Sequence, residues 1–228
     1  MRATSRWRSY PRSSSIRREG ACMPDLLRAQ TAFGEPLAQL TIAGDAGVCV
    51  HERTDYALAI VLARRGQAEA LANRVSVWGI ALPERPVRGT HGALAFLGLG
   101  PGRWLATLDD GAASPHGSYA WAKSLARDLA GHASVSDQTD GYAVLQIGGP
   151  KARALLAKGT TVDLHPRAFR AGDVAVTQIA HIGVMLWQLD DQPTYEIAAF
   201  RSFAGSLWHW LAGSAAEFGL AAKMPPKT

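Results

Sequence analysis

The sequence predicts an α+β protein whose strands and helices alternate along the chain and whose neighbouring strands form hairpins. Apolar and polar residues alternate over 47–54, as in a half-buried strand. Apolar residues recur every three or four positions over 66–78, as on the buried face of a helix. Strand-like segments at 93–100 and 103–108 flank a Gly-Pro-Gly turn. Such hairpins favour an α+β fold over a doubly wound parallel sheet.

The first half of the chain contains five predicted strands and two predicted helices. The strands are 36–42, 47–54, 56–65, 93–100 and 103–108, and the helices are 66–78 and 118–130. Tyr119, Leu125 and Leu129 share one face of the second helix, which predicts a packed helix. Glycines and prolines between 79 and 92 predict a loop between the first helix and the hairpin.

The second half repeats this order. Its predicted strands are 134–138, 142–148, 174–180, 184–190 and 194–200, and its predicted helices are 150–158 and 201–217. The last helix carries an apolar stripe formed by Phe203, Leu207, Trp210, Leu211 and Ala215. The repeated order predicts one globular unit over 23–228 with two lobes of split βαβ (ferredoxin-like) units, at about 30–132 and 133–228.

The net charge of +5 raises the question of nucleic-acid binding. Residues 1–22 hold six arginines and one glutamate, which leaves 18 Lys+Arg and 18 Asp+Glu for residues 23–228. The body of the chain is therefore neutral. Because neutralising phosphates requires an excess of cations, we expect no nucleic-acid partner for this body.

Three interpretations of residues 1–22 compete. The segment has no apolar stretch of about 7 to 15 residues, so we expect no secretory signal. A basic arm on nucleic acid remains open, since Trp7 and Tyr10 accompany the arginines. Its Arg- and Ser-rich composition favours a disordered extension, with Met23 as the alternative translation start.

Hydropathy and cysteine content predict a cytoplasmic protein without a membrane partner. The longest apolar run, 56–63, ends at Arg64, well short of the roughly 20 residues of a membrane-spanning helix. Cys22 and Cys49 give neither a disulfide framework nor a metal-ligand spacing, which fits a reducing compartment.

Two glycine motifs invite a ligand-binding interpretation. The motif GLGPG at 98–102 resembles the start of a phosphate-binding loop, but a dinucleotide-binding loop needs three spaced glycines that open a helix, and here Arg103 and Trp104 open a strand-like run. The motif IGGP at 147–150 lies at a strand end before a helix, where backbone N–H groups can hold an anion. It has no Lys-Ser/Thr of a phosphate-binding loop. We therefore expect turns at both places.

The titratable residues form no self-sufficient active site in the sequence. The seven histidines show neither HxH nor HExxH spacing, so we expect no metal site. His165 lies near Asp163 and Arg167 in a cluster that is either catalytic or, as is commoner, ties down a turn. Carboxylates at Asp137 and Asp190 stand at strand junctions, where they usually face water. We expect no catalytic or cofactor-binding residue on this chain.

Four segments of the second half form a specific combination when they are taken together. They are DLHPRAF at 163–169, GDVAVT at 172–177, LWQLDDQPTYE at 186–196 and RSFAGSLWHWL at 201–211. The combination resembles the gamma subunit family of heterotetrameric sarcosine oxidase. The segment LGPGRWL at 99–105 resembles that family more loosely.

A second resemblance concerns the run from Asp137 to Ala152. It resembles the start of the folate-binding aminomethyltransferase, the T-protein of the glycine cleavage system, and implies that the chain resembles the N-terminal fold of that enzyme. That family carries an acidic pair on a later strand, whereas the matching stretch here, Gly183 to Trp187, is apolar. Asp140 stands in place of the histidine of the first motif. An apolar pair cannot bind a cationic amine or move a proton, so the resemblance implies no independent transferase activity.

The resemblance implies a noncatalytic subunit of an αβγδ flavoenzyme that oxidatively demethylates sarcosine to glycine. The methyl carbon leaves as formaldehyde or passes to tetrahydrofolate. FAD, FMN, NAD, zinc and tetrahydrofolate are expected on other subunits, and none on this chain. The alpha subunit is the expected direct partner, with the beta and delta subunits in the same complex. Whether the complex prefers sarcosine or another N-methyl amino acid is left open.

Tryptophans are the candidate interface residues. A neutral body that contains seven tryptophans fits a permanent subunit interface. We select Trp187, Trp208 and Trp210. Since Trp208 and Trp210 cannot both face the same core side of one helix, we expect Trp208 to face a partner.

Two other functions remain as alternatives. One is a free-standing folate-binding protein or an aminomethyltransferase-like enzyme of the same fold. The other is a nucleic-acid binder that works through the basic extension at 1–22.

Overall fold

The computed structural model describes residues 31–34, 46–109 and 117–223. These residues belong to one compact unit that starts at Thr31. The predicted extension at 1–22 and the predicted strand at 36–42 lie outside the described residues, as does Cys22.

Strands dominate the described part of the chain. In chain order they are β1 Val48–Glu52, β2 Tyr56–Ala63, β3 Arg88–His91, β4 Leu94–Gly100, β5 Arg103–Asp109, β6 Ala133–Asp137, β7 Tyr142–Gly148, β8 Val174–Ile179, β9 Ile182–Asp190, β10 Thr194–Phe200 and β11 Leu220–Lys223. The helices are α1 Ala68–Ser76, α2 Gly117–Asp128, α3 Ala152–Ala157 and α4 Ala204–Ala215, the last preceded by a 3-10 turn at Arg201–Phe203. The predicted α+β class is confirmed.

The strands form two sheets. One has six strands in the order β11-β1-β7-β10-β9-β8, and the other has five in the order β3-β4-β5-β2-β6. Only the β1–β11 pair is parallel among the described strands. Three strand pairings join residues from the two sides of the predicted lobe boundary near 132, because β1 pairs with β7 and β11, and β6 pairs with β2. The division into lobes stays a prediction.

The layers follow from three hydrophobic clusters. Helices α3 and α4 pack on one face of the six-stranded sheet, and α1 and α2 pack on one face of the five-stranded sheet. The other faces of the two sheets pack on each other through the inter-sheet core, formed by Tyr56, Leu58, Ala95, Leu97, Leu105, Val144, Val174, Met185, Trp187 and Ala198. Hydrophobic burial on both faces of each sheet is the main stabilising contribution in such a layered fold. No described helix is long and apolar enough to cross a membrane.

Two local predictions are wrong, each for a physical reason. The span 79–92 was expected to be a loop, but Arg88–His91 forms β3. That strand is polar and lies at a sheet edge, so it carries no hydrophobic signal. Phe203 was expected on the buried stripe of the last helix, but the α-helix begins only at Ala204 and Phe203 is about half exposed in the preceding turn. The buried stripe of α4 consists of Ala204, Leu207, Trp208, Leu211 and Ala215.

Candidate functional site

A charged network lies where the two sheets meet, centred on Arg53 in the link between β1 and β2. Its Nη1 lies 2.6 Å from Oε1 of Glu196 on β10. Its Nε lies 2.8 Å from Oδ1 of Asp55, and its Nη2 lies 2.8 Å from Oδ2 of Asp109 at the end of β5. The guanidinium also stacks over the ring of Tyr56, 4.0 Å from its centroid. One largely buried arginine thus joins both sheets.

Glu196 is the most deeply buried member of the network, with no exposed surface. The Tyr56 hydroxyl donates to the carboxylate and lies 2.9 Å from Oε2 and 3.1 Å from Oε1. Nε1 of Trp187 on β9 donates to Oε2 over 2.8 Å. Both carboxylate oxygens therefore have internal donors, as a buried charge requires. We call Arg53, Tyr56, Trp187 and Glu196 the sheet clasp.

Burial and charge set the protonation states of the clasp. Burial raises the pKa of Glu196, and the Arg53 charge and the donors Tyr56 and Trp187 oppose that rise. Burial and the negative charge of Glu196 raise the pKa of Tyr56, so its hydroxyl keeps its proton. Burial disfavours the charge of Arg53, but its acidic partners outweigh this and raise its pKa. The charged groups of the clasp bind one another in the interior and so link the two sheets.

A second buried carboxylate, Glu52, ends β1. Its Oε1 accepts the N–H of Ala32 over 2.7 Å, and its Oε2 has no hydrogen bond from a described residue. Burial raises the pKa of Glu52, and the backbone N–H groups of Ala32 and Phe33 oppose the rise. Glu52 thus holds Ala32 and Phe33 against the six-stranded sheet.

Two of the surface clefts formed by the described residues offer space for a ligand. The larger, of about 800 Å³, lies beside β8 and is lined by Lys158, Gly159, Thr161, Val176, Thr177, Gln178, Ala180, His181 and Trp210. Its one lysine is engaged, because Lys158 Nζ donates to Ser214 O over 2.7 Å and pairs with Glu217. The smaller, of about 340 Å³, contains Trp104, whose Nε1 donates to Pro83 O over 2.7 Å. Within the described ranges, no three His, Cys, Asp or Glu residues are grouped to hold a metal ion.

The polar residues selected from the sequence form hydrogen bonds within their own turns. The N–H of His165 donates to Asp163 Oδ1 over 2.9 Å, and the N–H of Arg167 donates to His165 Nδ1 over 3.2 Å. Asp137 and Asp190 likewise accept backbone N–H groups within their turns. These bonds stabilise the local chain path, as expected for Asx-type turns.

The glycine motifs are also turns. Gly100 and Gly102 flank the tight connection between β4 and β5, and Gly102 has a φ of 66°. Gly149 has a φ of 103° and lies between β7 and α3, with the carbonyl oxygen of Gly47 close to its backbone. A side chain at Gly149 would meet that oxygen, so the close approach of two backbone segments accounts for the glycine.

Comparison with known proteins decides the family. A model described as the sarcosine oxidase, gamma subunit family matches residues 65–217. The chain belongs to this family. It is 34% identical over 155 residues to the sarcosine oxidase subunit gamma of Corynebacterium sp. (strain P-1), covering 67% of this chain and 71% of that protein. It is 31% identical over 188 residues to that of Corynebacterium sp. (strain U-96), covering 79% and 85%.

Solved structures agree with this membership. A chain of the heterotetrameric sarcosine oxidase from Corynebacterium sp. U-96, in complex with pyrrole 2-carboxylate, superposes with a TM-score of 0.71 at 27% identity, covering 85% of this chain and 97% of that one. The glycine cleavage system aminomethyltransferase T from Bartonella henselae gives a TM-score of 0.52 at 16% identity, covering 78% of this chain and 48% of that one. The second likeness shows a shared fold and confirms the predicted fold neighbour.

The three selected tryptophans occupy different places in this gamma-family chain. Trp187 is buried in the inter-sheet core and belongs to the sheet clasp. Trp208 is 7% exposed in the core under α4, whereas Trp210 is partly exposed and borders the larger cleft. The expected order is reversed, because the buried stripe of α4 runs through Leu207, Trp208 and Leu211 and so places Trp208 against the sheet. A role at an interface stays a prediction for Trp210.

Sequence reasoning missed the sheet clasp. Arg53 and Glu196 are 143 residues apart, so no spacing motif links them. A weak signal exists at Glu196, which stands inside the apolar strand TYEIAAF. A charged residue within a doubly covered strand indicates a buried partner.

Proposed function

We propose that this chain acts as the noncatalytic gamma subunit of a heterotetrameric sarcosine oxidase and packs on its alpha subunit. The match to a chain of such a complex carries the proposal, because it spans 97% of that chain at 27% identity. The complex would oxidatively demethylate sarcosine, or another N-methyl amino acid, to the free amino acid. FAD, FMN, NAD, zinc and tetrahydrofolate belong to other subunits in this proposal.

The geometry of β9 supports a noncatalytic role. Val184 and Leu186 point into the core under α3 and α4, while Met185 and Trp187 point into the inter-sheet core. Both faces of this strand are therefore covered by the chain itself. This is the stretch where the folate-dependent relative is expected to carry its acidic pair, so the strand contributes packing rather than ligand contacts.

Co-purification tests the assembly. We expect the full chain, co-expressed with the tagged alpha subunit of the same organism, to elute with it at equal stoichiometry after size-exclusion chromatography. A variant that starts at Met23 should co-elute equally well. Recovery of the chain as a monodisperse monomer beside free alpha subunit would overturn the proposal.

Calorimetry separates the folate-binding alternative. We expect no heat when tetrahydrofolate at near-millimolar concentration is titrated into the isolated full chain. The assembled tetramer, titrated in parallel, is the positive control. Saturable heat with the isolated chain contradicts a purely noncatalytic subunit and supports the alternative.

A further inference from the structure

One end of the inter-sheet core opens to solvent. Along β2, side chains on the inter-sheet face change from buried Leu58 to Leu62, which is 44% exposed. Along β10, they change from buried Ala198 to Phe200, which is 50% exposed. Both strands leave the core in the direction that leads away from the sheet clasp. The two sheets thus expose large apolar side chains where their mutual packing ends.

The exposed side chains of Leu62 and Phe200 belong to one continuous apolar surface. The rings of Phe200 and Tyr142 stack with centroids 4.7 Å apart. Tyr142 and Ile60, from different sheets, both pack against the inter-sheet core. Arg103 pairs with Leu62 in the β2–β5 register. Burial raises the pKa of Tyr142, and the positive charge of Arg103 opposes that rise. We call Ile60, Leu62, Tyr142 and Phe200 the apolar mouth.

The rim of the apolar mouth is basic. Arg64 and Arg65 follow directly after β2, and Arg103 begins β5 beside Leu62. All three are exposed. Asp140, in the turn before β7, is an exposed acid at this end. An apolar centre with a rim of one charge sign is typical of a protein interface.

We propose that the apolar mouth docks an apolar segment flanked by carboxylates on the partner subunit, and this rests on the proposed function. Contiguous exposed apolar side chains of this size mark interaction sites. A second copy of this chain is disfavoured, because a two-fold contact would bring the same arginines together.

Affinity for the alpha subunit tests the mouth. We expect Phe200→Ser and Leu62→Ser each to raise the Kd at least about tenfold, as central apolar contacts do. Arg103→Glu should raise Kd by a similar factor, and the loss should shrink at high salt because the contact is electrostatic. Val77, which is 72% exposed at the end of α1, is the matched control. Val77→Ser should leave Kd within about twofold.

Thermal unfolding of each isolated variant shows whether it folds. Leu62 lies in the five-stranded sheet and Phe200 in the six-stranded sheet, so the two serine variants test the docking independently. If the wild-type chain does not bind the alpha subunit, the proposed function and the docking both fail. If the wild type binds and the mouth variants bind as tightly as Val77→Ser, the docking alone is overturned. If the free chain forms a homodimer and Phe200→Ser makes it monomeric, the docking proposal is also overturned, in favour of a second copy as the occupant.

Discussion

Arg53→Met is expected to lower the free energy of unfolding by about 3 to 5 kcal/mol, the usual cost of leaving one partner of a buried ion pair uncompensated. Glu196 would remain fully buried with its charge and without its cation. The donors Tyr56 and Trp187 would still contact the carboxylate, but they carry no charge to offset desolvation. Urea denaturation of the isolated chain at pH 7 measures the loss.

A double variant and a surface pair test the cause. Glu196→Gln in the Arg53→Met background should recover more than half of the lost stability, because it removes the unpaired charge. Lys158→Met breaks the more exposed pair with Glu217 and should cost below about 1 kcal/mol. If Arg53→Met costs no more than Lys158→Met, the sheet clasp contributes little to stability.

The pH dependence of the Arg53→Met defect has a definite sign. Burial already raises the pKa of Glu196 above its ordinary value, and Arg53 is the largest influence that opposes the rise. Without Arg53 the pKa rises further, so the folded variant takes up a proton at a pH where the unfolded chain does not. Stability from that proton is present at low pH and is lost as the pH rises through the folded pKa.

We therefore expect the stability difference between wild type and Arg53→Met to be smaller at pH 5.5 than at pH 8. Urea titrations of both proteins at the two pH values measure it. The Lys158→Met difference should stay nearly constant over this range. A defect of Arg53→Met that is independent of pH contradicts the assignment to an unpaired Glu196 carboxylate.

Local patterns predicted most of the secondary structure, because their signals lie within one element. The alternation in 47–54 became β1, and the three-to-four spacing in 66–78 became α1. The hairpin across Gly100 and Gly102 was predicted because a tight turn is encoded by its own residues. The polar edge strand β3 was missed because it lacks such a pattern.

The candidate sites depend on pairings that no local pattern encodes. The β1–β7 pair joins residues nearly a hundred positions apart in the chain, and the sheet clasp spans an even longer separation. The apolar mouth exists because β2 and β10 extend beyond the packed region, which depends on how the sheets meet. Burial of Trp208 instead of Trp210 depends on which face of α4 lies against the six-stranded sheet. The candidate sites therefore depend on contacts between distant parts of the chain, which patterns within a single strand or helix do not encode.

Gly149→Ala is expected to lower the free energy of unfolding by about 3 kcal/mol, from backbone strain and steric conflict together. The φ of 103° lies outside the region that residues with a side chain normally adopt. A Cβ there would lie 2.7 Å from the carbonyl oxygen of Gly47. That oxygen also accepts the N–H of Lys151 over 2.9 Å, which fixes the start of α3 beside β1. Relieving the conflict would disturb this bond.

The neighbouring Gly148 provides a matched control within the same motif. A Cβ at Gly148 would find its nearest neighbour, Oγ1 of Thr194, at 3.9 Å, which is ordinary contact. Gly148→Ala should therefore change stability by at most about 0.5 kcal/mol. For a domain of this size, 3 kcal/mol corresponds to a decrease in Tm of roughly 6 to 12 °C, which thermal unfolding by circular dichroism resolves. Equal Tm values for the two variants would mean that the turn does not require a glycine at position 149. The anion-binding interpretation of that strand end would then be favoured again.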